Sequence, residues 1–239
     1  MAGASFVAST RGTFDATAKA VTLVTPAAVR KGDVLVALLA HNAADPRGSV
    51  PHGWTQINTQ GAEADVLDVY ARMIADSEPS SVDFHFTTVA NECQGALVAF
   101  RGTAPGVLLE HAATVASAAT TTLATAAPSS QQAINVILSV WTCAGSQALA
   151  LPAGLTLVDS FSTAIVAARS MLVGYRRAGA TGLITLGNVT VGSGTSSDVT
   201  SGRSFSFTVR DRLPVQPAAL VDLVPGNIGL IGKDTRRVR

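Results

Sequence analysis

Hydrophobic and polar residues alternate with a period of two in several short runs of this chain. In residues 82–87 (VDFHFT) and 205–209 (FSFTV), every second residue is apolar. This alternation predicts strands with one buried face. Runs rich in Val, Ile, Thr and Phe recur at intervals of about ten residues, separated by Gly, Pro, Asn and Ser clusters. The pattern therefore predicts an all-β protein made of antiparallel β-sandwiches, with almost no helix.

The second half of the chain repeats the first. Seven strands are predicted near residues 5–9, 20–24, 33–41, 54–60, 66–73, 82–87 and 94–101. The run DVLVALLAH, the turn at Pro51 and Tyr70 return as NVILSVW, a turn at Pro152 and Tyr175, with offsets of 101 residues between the prolines and 105 between the tyrosines. A repeat of this length has the size of a fold. We expect two tandem sandwiches related by internal duplication, residues 1–101 and 102–210, followed by an extended C-terminal arm, residues 211–239.

The turns at Pro51 and Pro152 share the pattern Pro-x-Gly. Proline at the second position and glycine at the fourth position of a type I turn would explain both residues. Trp54 and Leu155 follow these turns. A large apolar residue after a tight turn usually seals the end of a sandwich, so we interpret Trp54 as a core residue; the alternative is an exposed platform for a ligand.

The strands at 34–39 and 135–140 differ in polarity. Residues 34–39 (VLVALL) have no polar side chain on either face, which predicts a strand covered on both faces. The second copy, another subunit or a long loop would each provide this cover. Asn135 and Ser139 share one face of the second strand, which predicts that this face is open or polar.

The pattern changes after Arg210. Prolines at 214, 217 and 225 prevent a central strand or a helix, so this segment is the predicted arm. An apolar tail of this kind requires a surface to dock on. The predicted assembly contacts are its aliphatic and terminal basic residues: Leu220, Val221, Leu223, Val224, Ile228, Leu230, Ile231, Arg236, Arg237 and Arg239.

Composition narrows the classes of partner. Charged residues make up 14% of the chain and the net charge is +1, so no basic field favours nucleic acid or an anionic membrane. A surface with so few charges fits a protein whose faces are covered by neighbours. The alternative explanation for the low content of charged residues is a residue bias inherited from a GC-rich genome. The N-terminus lacks the features of a signal peptide and no apolar run is long enough for a membrane helix, which predicts synthesis in the cytoplasm without export. Cys93 and Cys143 occupy unlike places in the two copies and are expected to be free, partly buried thiols.

A search for chemistry finds no catalytic, cofactor or metal motif. The histidines His41, His52, His85 and His111 lack the spacing of metal ligands and are expected in loops or at the surface. The densest acidic group, Glu63, Asp65 and Asp68 with Asp45 nearby, would suit a Ca²⁺ site or a pair of catalytic carboxylates. Its counterpart in the second copy has no acidic residue, so we expect no enzyme activity, cofactor or metal.

Several short motifs carry a resemblance to a known family. They are GDVLVA from Gly32, PHGWT from Pro51, VYARM from Val69, SEP from Ser77 and AFRG from Ala99. Together they resemble a β-sandwich repeat of virion proteins of tailed bacteriophages, with a jelly-roll-like fold, that also occurs in some bacterial surface proteins. The second copy departs from the pattern at the Trp, Glu-Pro and Phe-Arg-Gly positions.

The resemblance implies a structural protein of the virion, on the capsid or the tail, that assembles with other virion proteins and with copies of itself. The alternative is a receptor-binding or glycan-binding module that uses the end loops at 42–50 and 145–151. Neither loop contains the Trp or Tyr on which sugars usually stack. The expectation is therefore a capsid-decorating or tail-associated subunit, anchored by its C-terminal arm.

Overall fold

The fold is described from a computed structural model. It describes residues 4–15, 19–41, 48–60, 66–75, 79–87, 93–102, 109–118, 122–162, 169–192 and 201–210. The predicted arm, residues 211–239, lies outside the described residues, and so do all ten predicted assembly contacts. The domain boundaries proposed from the sequence stay predictions.

The described part of the chain contains strands and no helix, which confirms the all-β prediction. We call the first seven strands the first unit: β1 (Ser5–Asp15), β2 (Ala20–Val24), β3 (Val34–His41), β4 (Thr55–Gln60), β5 (Val66–Met73), β6 (Ser81–His85) and β7 (Gln94–Arg101). They form one antiparallel sheet in the order β4-β5-β3-β7-β1-β2-β6. The first half of β1 pairs with β7 and its second half, from Gly12, pairs with β2, so the sheet curls over itself. A Cβ atom at Gly12 would lie 2.7 Å from Val21, which explains the glycine at this crossing.

The second unit has the same strand order in its main sheet. Its strands are β8 (Leu109–Ala118), β9 (Thr122–Leu123), β10 (Ser129–Ser130), β11 (Val136–Ala144), β12 (Leu149–Ala150), β13 (Thr156–Ser162), β14 (Arg169–Arg177), β15 (Gly182–Leu183), β16 (Val189–Val191) and β17 (Ser201–Val209). The sheet β13-β14-β11-β17-β8 matches β4-β5-β3-β7-β1, and β16 pairs with β9 as β6 pairs with β2. Each edge strand also has a bulge at the same place, at Ile57 in β4 and Val158 in β13.

The two main sheets pack face to face. In β3 the even-numbered residues, from Val34 to Ala40, pack with residues of β11, β14 and β17, while the odd-numbered residues, from Leu35 to Leu39, pack against β2 and β6. We call the first cluster the shared core. Its buried residues are Ala4, Val34, Val36, Leu38, Ala40, Leu67, Val69, Ala96, Val98, Phe100, Val136, Leu138, Val140, Met171, Val173, Phe205, Phe207 and Val209. The prediction that residues 34–39 are covered on both faces is confirmed, and the second unit provides one cover.

Of the two predicted alternatives for β11, an open face or a polar face, the open face is wrong. Asn135 and Ser139 are both fully buried. The Ser139 hydroxyl lies 2.7 Å from the Ser206 hydroxyl, and the Asn135 amide donates to Ser130 Oγ at 3.0 Å. Polar side chains are tolerated in the interior when they hydrogen-bond to one another, and this pairing across strands is invisible in the pattern of a single strand.

The Pro-x-Gly turns have a different geometry from the one predicted. Trp54 N donates to Pro51 O at 3.1 Å, so proline is the first residue of the turn and glycine the third. Gly53 has φ +82°, whereas His52 is not among the residues with positive φ, which defines a type II turn. This third position favours glycine because it requires positive φ. The type I assignment is therefore wrong, although the Pro-x-Gly pattern does form a tight turn.

The strand register also corrects the alignment of the tyrosines. Thr55 pairs with Ala71, and Thr156 pairs with Tyr175, so Tyr175 corresponds to Ala71 and Tyr70 to Gly174. Adjacent strand residues face opposite ways. Tyr70 consequently packs beneath β2 and β6, whereas Tyr175 borders the shared core. The offset of 105 residues is wrong by one.

Candidate functional site

The acidic group singled out in the sequence does not form a site among the described residues. Asp45, Glu63 and Asp65 lie outside them. Asp68, on β5, is fully buried, and its Oδ2 lies 2.9 Å from Nε2 of His41 at the end of β3. His41 is therefore a buried residue, which corrects the expectation of a loop or surface histidine. Its ring also meets the edge of Phe86, with the centroids 5.3 Å apart.

The His41–Asp68 pair is present in one unit only. Register places Cys143 and Leu172, both fully buried, at the corresponding positions of the second unit. Burying a polar pair costs desolvation energy, and well-packed apolar residues often serve stability equally well. The pair holds the ends of β3 and β5 in register. Within the described part of the chain, no group of three or more His, Cys, Asp or Glu residues has the arrangement of a metal site.

Two further polar residues lie at the end of the shared core. The alternation of β7 and β14 places Gln94 and Arg169 on the faces that line this core, and they are 2% and 1% exposed. Neither amide atom of Gln94 has a hydrogen-bond partner among the residues described here. Sequence reasoning missed both residues, because a Gln or an Arg at the start of a strand is ordinarily solvent-exposed.

The motifs that carry the resemblance meet in the first unit. Asp33, which precedes β3, is 2% exposed and receives two hydrogen bonds from Arg101, Nε to Oδ1 at 2.9 Å and Nη2 to Oδ2 at 2.8 Å. The hydrogen bonds to Asp33 raise the pKa of Arg101. Arg72 lies over the turn and donates from Nη1 to His52 O at 3.4 Å. These motif residues fix strand ends and turns, as expected of structural elements.

Among the described residues, an ion pair joins the two units. Arg11, on β1, binds Asp159, on β13, through Nε to Oδ2 at 2.9 Å and Nη2 to Oδ1 at 2.7 Å. The same guanidinium lies 4.9 Å from the centroid of the Phe161 ring. Its hydrogen bonds to Asp159 raise the pKa of Arg11. The stacked rings of Phe6 and Tyr175, 5.3 Å apart, form a second contact between the units. No local sequence signal indicates this pair, because its members are 148 residues apart.

The remaining candidate residues are the tryptophan after the first turn, the two cysteines and three of the histidines. Trp54 is 7% exposed and meets the Phe84 ring edge to face, with the centroids 5.5 Å apart, which confirms that it is a core residue. Cys93 and Cys143 form no disulfide, as predicted, and both are buried where partial burial was expected. Side chains of His52 and His85 are exposed, and that of His111 lies outside the description.

The two loops considered for receptor or glycan binding are described unequally. Residues 42–47 lie outside the described residues, and 48–50 run beside β6, with Gly48 N donating to His85 O at 2.8 Å. In the 145–151 segment, Gln147 and Leu149 are buried, and β12 pairs with β16. This segment therefore packs on the second unit instead of forming an open platform.

Comparison with protein families, curated proteins and solved structures found no match for this chain. In the described residues, no helix is long and apolar enough to cross a membrane. The resemblance to phage virion proteins therefore stays a prediction from the motifs.

Proposed function

We propose that the protein is a structural subunit of a bacteriophage virion, a capsid-decorating or tail-associated accessory protein that its C-terminal arm fastens to other virion proteins and to copies of itself. The proposed location is the virion, after synthesis in the host cytoplasm. The proposal involves no catalysis and no cofactor, metal, nucleic acid or membrane.

The observation that carries this proposal is the complete cover of β3 and β11. Residues of β3 and the buried part of β11, Val136 to Cys143, are enclosed on both faces by other described residues. The central strands therefore need no cover from residues 211–239. The proposal assigns the seven aliphatic residues between Leu220 and Ile231 to a surface on a neighbour.

Magnitudes indicate weak docking by a single arm. Burial of seven aliphatic side chains contributes about 10–20 kcal/mol, and ordering the segment from Leu220 to Ile231 costs about 12–24 kcal/mol, so the two contributions nearly cancel. Residues 211–239 carry five basic and three acidic residues, which favours an acidic partner surface. Many weak contacts of this kind suit a subunit present in many copies on one particle.

A truncation after Arg210 tests the proposal. Particles purified from cells that carry the gene are analysed by mass spectrometry, first with the full chain and then with the truncated chain. We expect the full chain in the particles, and we expect the truncated chain to be folded and soluble but absent from them. A matched control replaces Arg236, Arg237 and Arg239 with Ala, which removes charge and keeps the aliphatic residues.

Three outcomes are informative. Loss of incorporation in the truncation, with partial loss in the charge variant, supports docking by the arm. Full incorporation of the truncated chain contradicts docking by the arm and moves attachment to the sheets. Absence of the full chain from particles, together with retention on immobilised glycans or host cells, contradicts the virion role and favours the receptor-binding alternative.

A further inference from the structure

The second unit exposes arginine and aliphatic side chains together at the end where β14 finishes and β11 begins. Arg177, the last residue of β14, donates from Nη1 to Ile134 O at 2.9 Å, and Ile134 is 44% exposed. The chain then turns beside this segment, with Gly179 N donating to Ala133 O at 2.9 Å, and reaches Leu183, which is 69% exposed. Exposed aliphatic residues beside arginine are typical of surfaces that bind other proteins.

Arg176 is held at the same end by two glycine turns. A Cβ atom at Gly154 would lie 3.7 Å from its Nη1, and one at Gly179 would lie 3.9 Å from its Nη2. Its Nε donates to Arg177 O at 3.1 Å. Backbone carbonyls therefore orient both guanidinium groups, and within the described residues neither forms an ion pair. Since a guanidinium has five N–H donors, each arginine keeps donors that a carboxylate can accept.

The first unit has a carboxylate at a position where the second unit has none. By register, Arg101 corresponds to Arg210 and Asp33 to Asn135. Asp33 binds Arg101 through both of its oxygens, whereas Asn135 is neutral. The second unit therefore keeps the arginine and lacks the acidic residue. The described segments of the second unit at this end contain no Asp or Glu: residues 128–136, 151–157, 175–184 and 208–210.

The residue types at this end favour an acidic protein over a polyanion. The positive residues of these segments are all arginines: Arg176, Arg177 and Arg210. Arginine binds a carboxylate through two parallel hydrogen bonds and is enriched at protein interfaces, whereas lysine is depleted there. A polyanion such as nucleic acid requires a broad basic field, and the net charge of +1 provides none. The exposed Ile134 and Leu183 also require an apolar surface on the partner.

We propose that this end of the second unit is a docking surface for an acidic protein. Arg176 and Arg177 bind carboxylates of the partner, and Ile134 and Leu183 pack against apolar residues that lie between these carboxylates. The docking surface consists of described residues and does not include the C-terminal arm. The inference therefore stands independently of the virion proposal and of docking by the arm.

Binding of a defined acidic peptide tests the inference. The parent chain is the full-length protein in which Arg236, Arg237 and Arg239 are replaced with Ala, so that these charges of the arm do not contribute. The probe is a fluorescein-labelled peptide of repeated Glu-Glu-Leu, and binding is measured by fluorescence anisotropy. We expect the parent chain to bind this peptide and not to bind a peptide of repeated Lys-Lys-Leu, a comparison that needs no substitution in the docking surface.

Substitutions then locate the binding. Replacing both Arg176 and Arg177 with Gln should weaken binding of the acidic peptide about fivefold or more, because two ion pairs are lost. Leu183→Ser should weaken it as well. The matched control replaces Arg30 and Lys31, two exposed residues of the first unit, with Gln and should leave binding unchanged. Unchanged midpoints of urea unfolding verify that each variant is folded.

Three results would overturn the proposal. The first is a Kd above about 1 mM for the parent chain and the acidic peptide. The second is an equal loss of binding in the two double variants, since overall charge alone would then explain the binding. The third is tighter binding of heparin, a sulfated polyanion, together with no effect of Leu183→Ser on either probe, because the surface would then be a site for a polyanion.

Discussion

Truncating Leu38 and Leu39 separately tests the double cover of β3. The two residues are adjacent, at 0% and 1% exposure, and face different cores. Leu38 packs between the units and Leu39 packs beneath β2 and β6. Removing a buried leucine side chain beyond Cβ costs about 2–5 kcal/mol, so we expect each Ala variant to lose about 3 kcal/mol of unfolding free energy. For a chain of this size, that loss lowers Tm by about 6–12 °C.

The two tryptophans make the measurement specific for each unit. Trp54 lies in the first unit and Trp141 in the second, and both are buried. Fluorescence during urea unfolding, in single Trp→Phe backgrounds, therefore reports each unit separately. Because Leu38 lies in the shared core, Leu38→Ala should lower the unfolding midpoint of both reporters. Leu157, at 53% exposure, is the matched control, and Leu157→Ala should change stability by less than about 0.5 kcal/mol.

Two results would refute this reasoning. If Leu38→Ala costs no more than Leu157→Ala, the face of β3 toward the second unit is not covered in solution. If Leu38→Ala shifts the midpoint of Trp54 and leaves that of Trp141 unchanged, the units unfold separately and do not share a core. Loss of stability in Leu39→Ala alone would restrict burial to the face beneath β2 and β6.

Three further substitutions test individual contacts by urea unfolding. Asp68→Leu leaves His41 without this partner and should lower the unfolding free energy by about 3–5 kcal/mol. Adding His41→Cys reproduces the residues of the second unit and should recover most of this loss. If the double variant recovers nothing, the two sites do not correspond. Gly53→Ala places a Cβ atom at positive φ and should lower the unfolding free energy by about 1–2 kcal/mol. An unchanged urea midpoint would argue against the type II turn. Asp33→Asn removes the charge that Arg101 binds and should lower the unfolding midpoint. The loss should disappear in an Arg101→Ala background, and a loss that persists there would be independent of the Arg101–Asp33 pair.

The strands could be predicted from the sequence because alternation is a local property. The strands at 20–24, 66–73 and 94–101 have the predicted bounds, and β3 begins one residue later than expected. The absence of polar residues from 34–39 also indicated cover on both faces. Trp54 was recognised as core because of its place after a tight turn.

Contacts between distant strands could not be predicted in the same way. Ser139 and Ser206 satisfy each other across two strands, so each serine alone looks like a residue of an open face. Two tyrosines at similar places suggested an alignment, but the equivalence of residues in β5 and β14 is set by their pairing with the neighbouring strands, which the pattern of one strand does not reveal. The Arg11–Asp159 pair depends on how whole sheets pack, and that information is not contained in either residue's surroundings along the chain.

The parallel alignment of the two units gives the protein two unlike ends. Phe6 meets Tyr175 near one end of the strands and Arg11 meets Phe161 toward the other, so both units run the same way. At the first end lie the Pro-x-Gly turns, both ends of the link between the units and the exit of the chain after Val209. If the C-terminal arm holds the protein to a surface, the opposite end points outward. Inserts at that end, between β4 and β5 or between β13 and β14, would then be displayed to the surroundings without disturbing attachment, which makes the chain an oriented carrier.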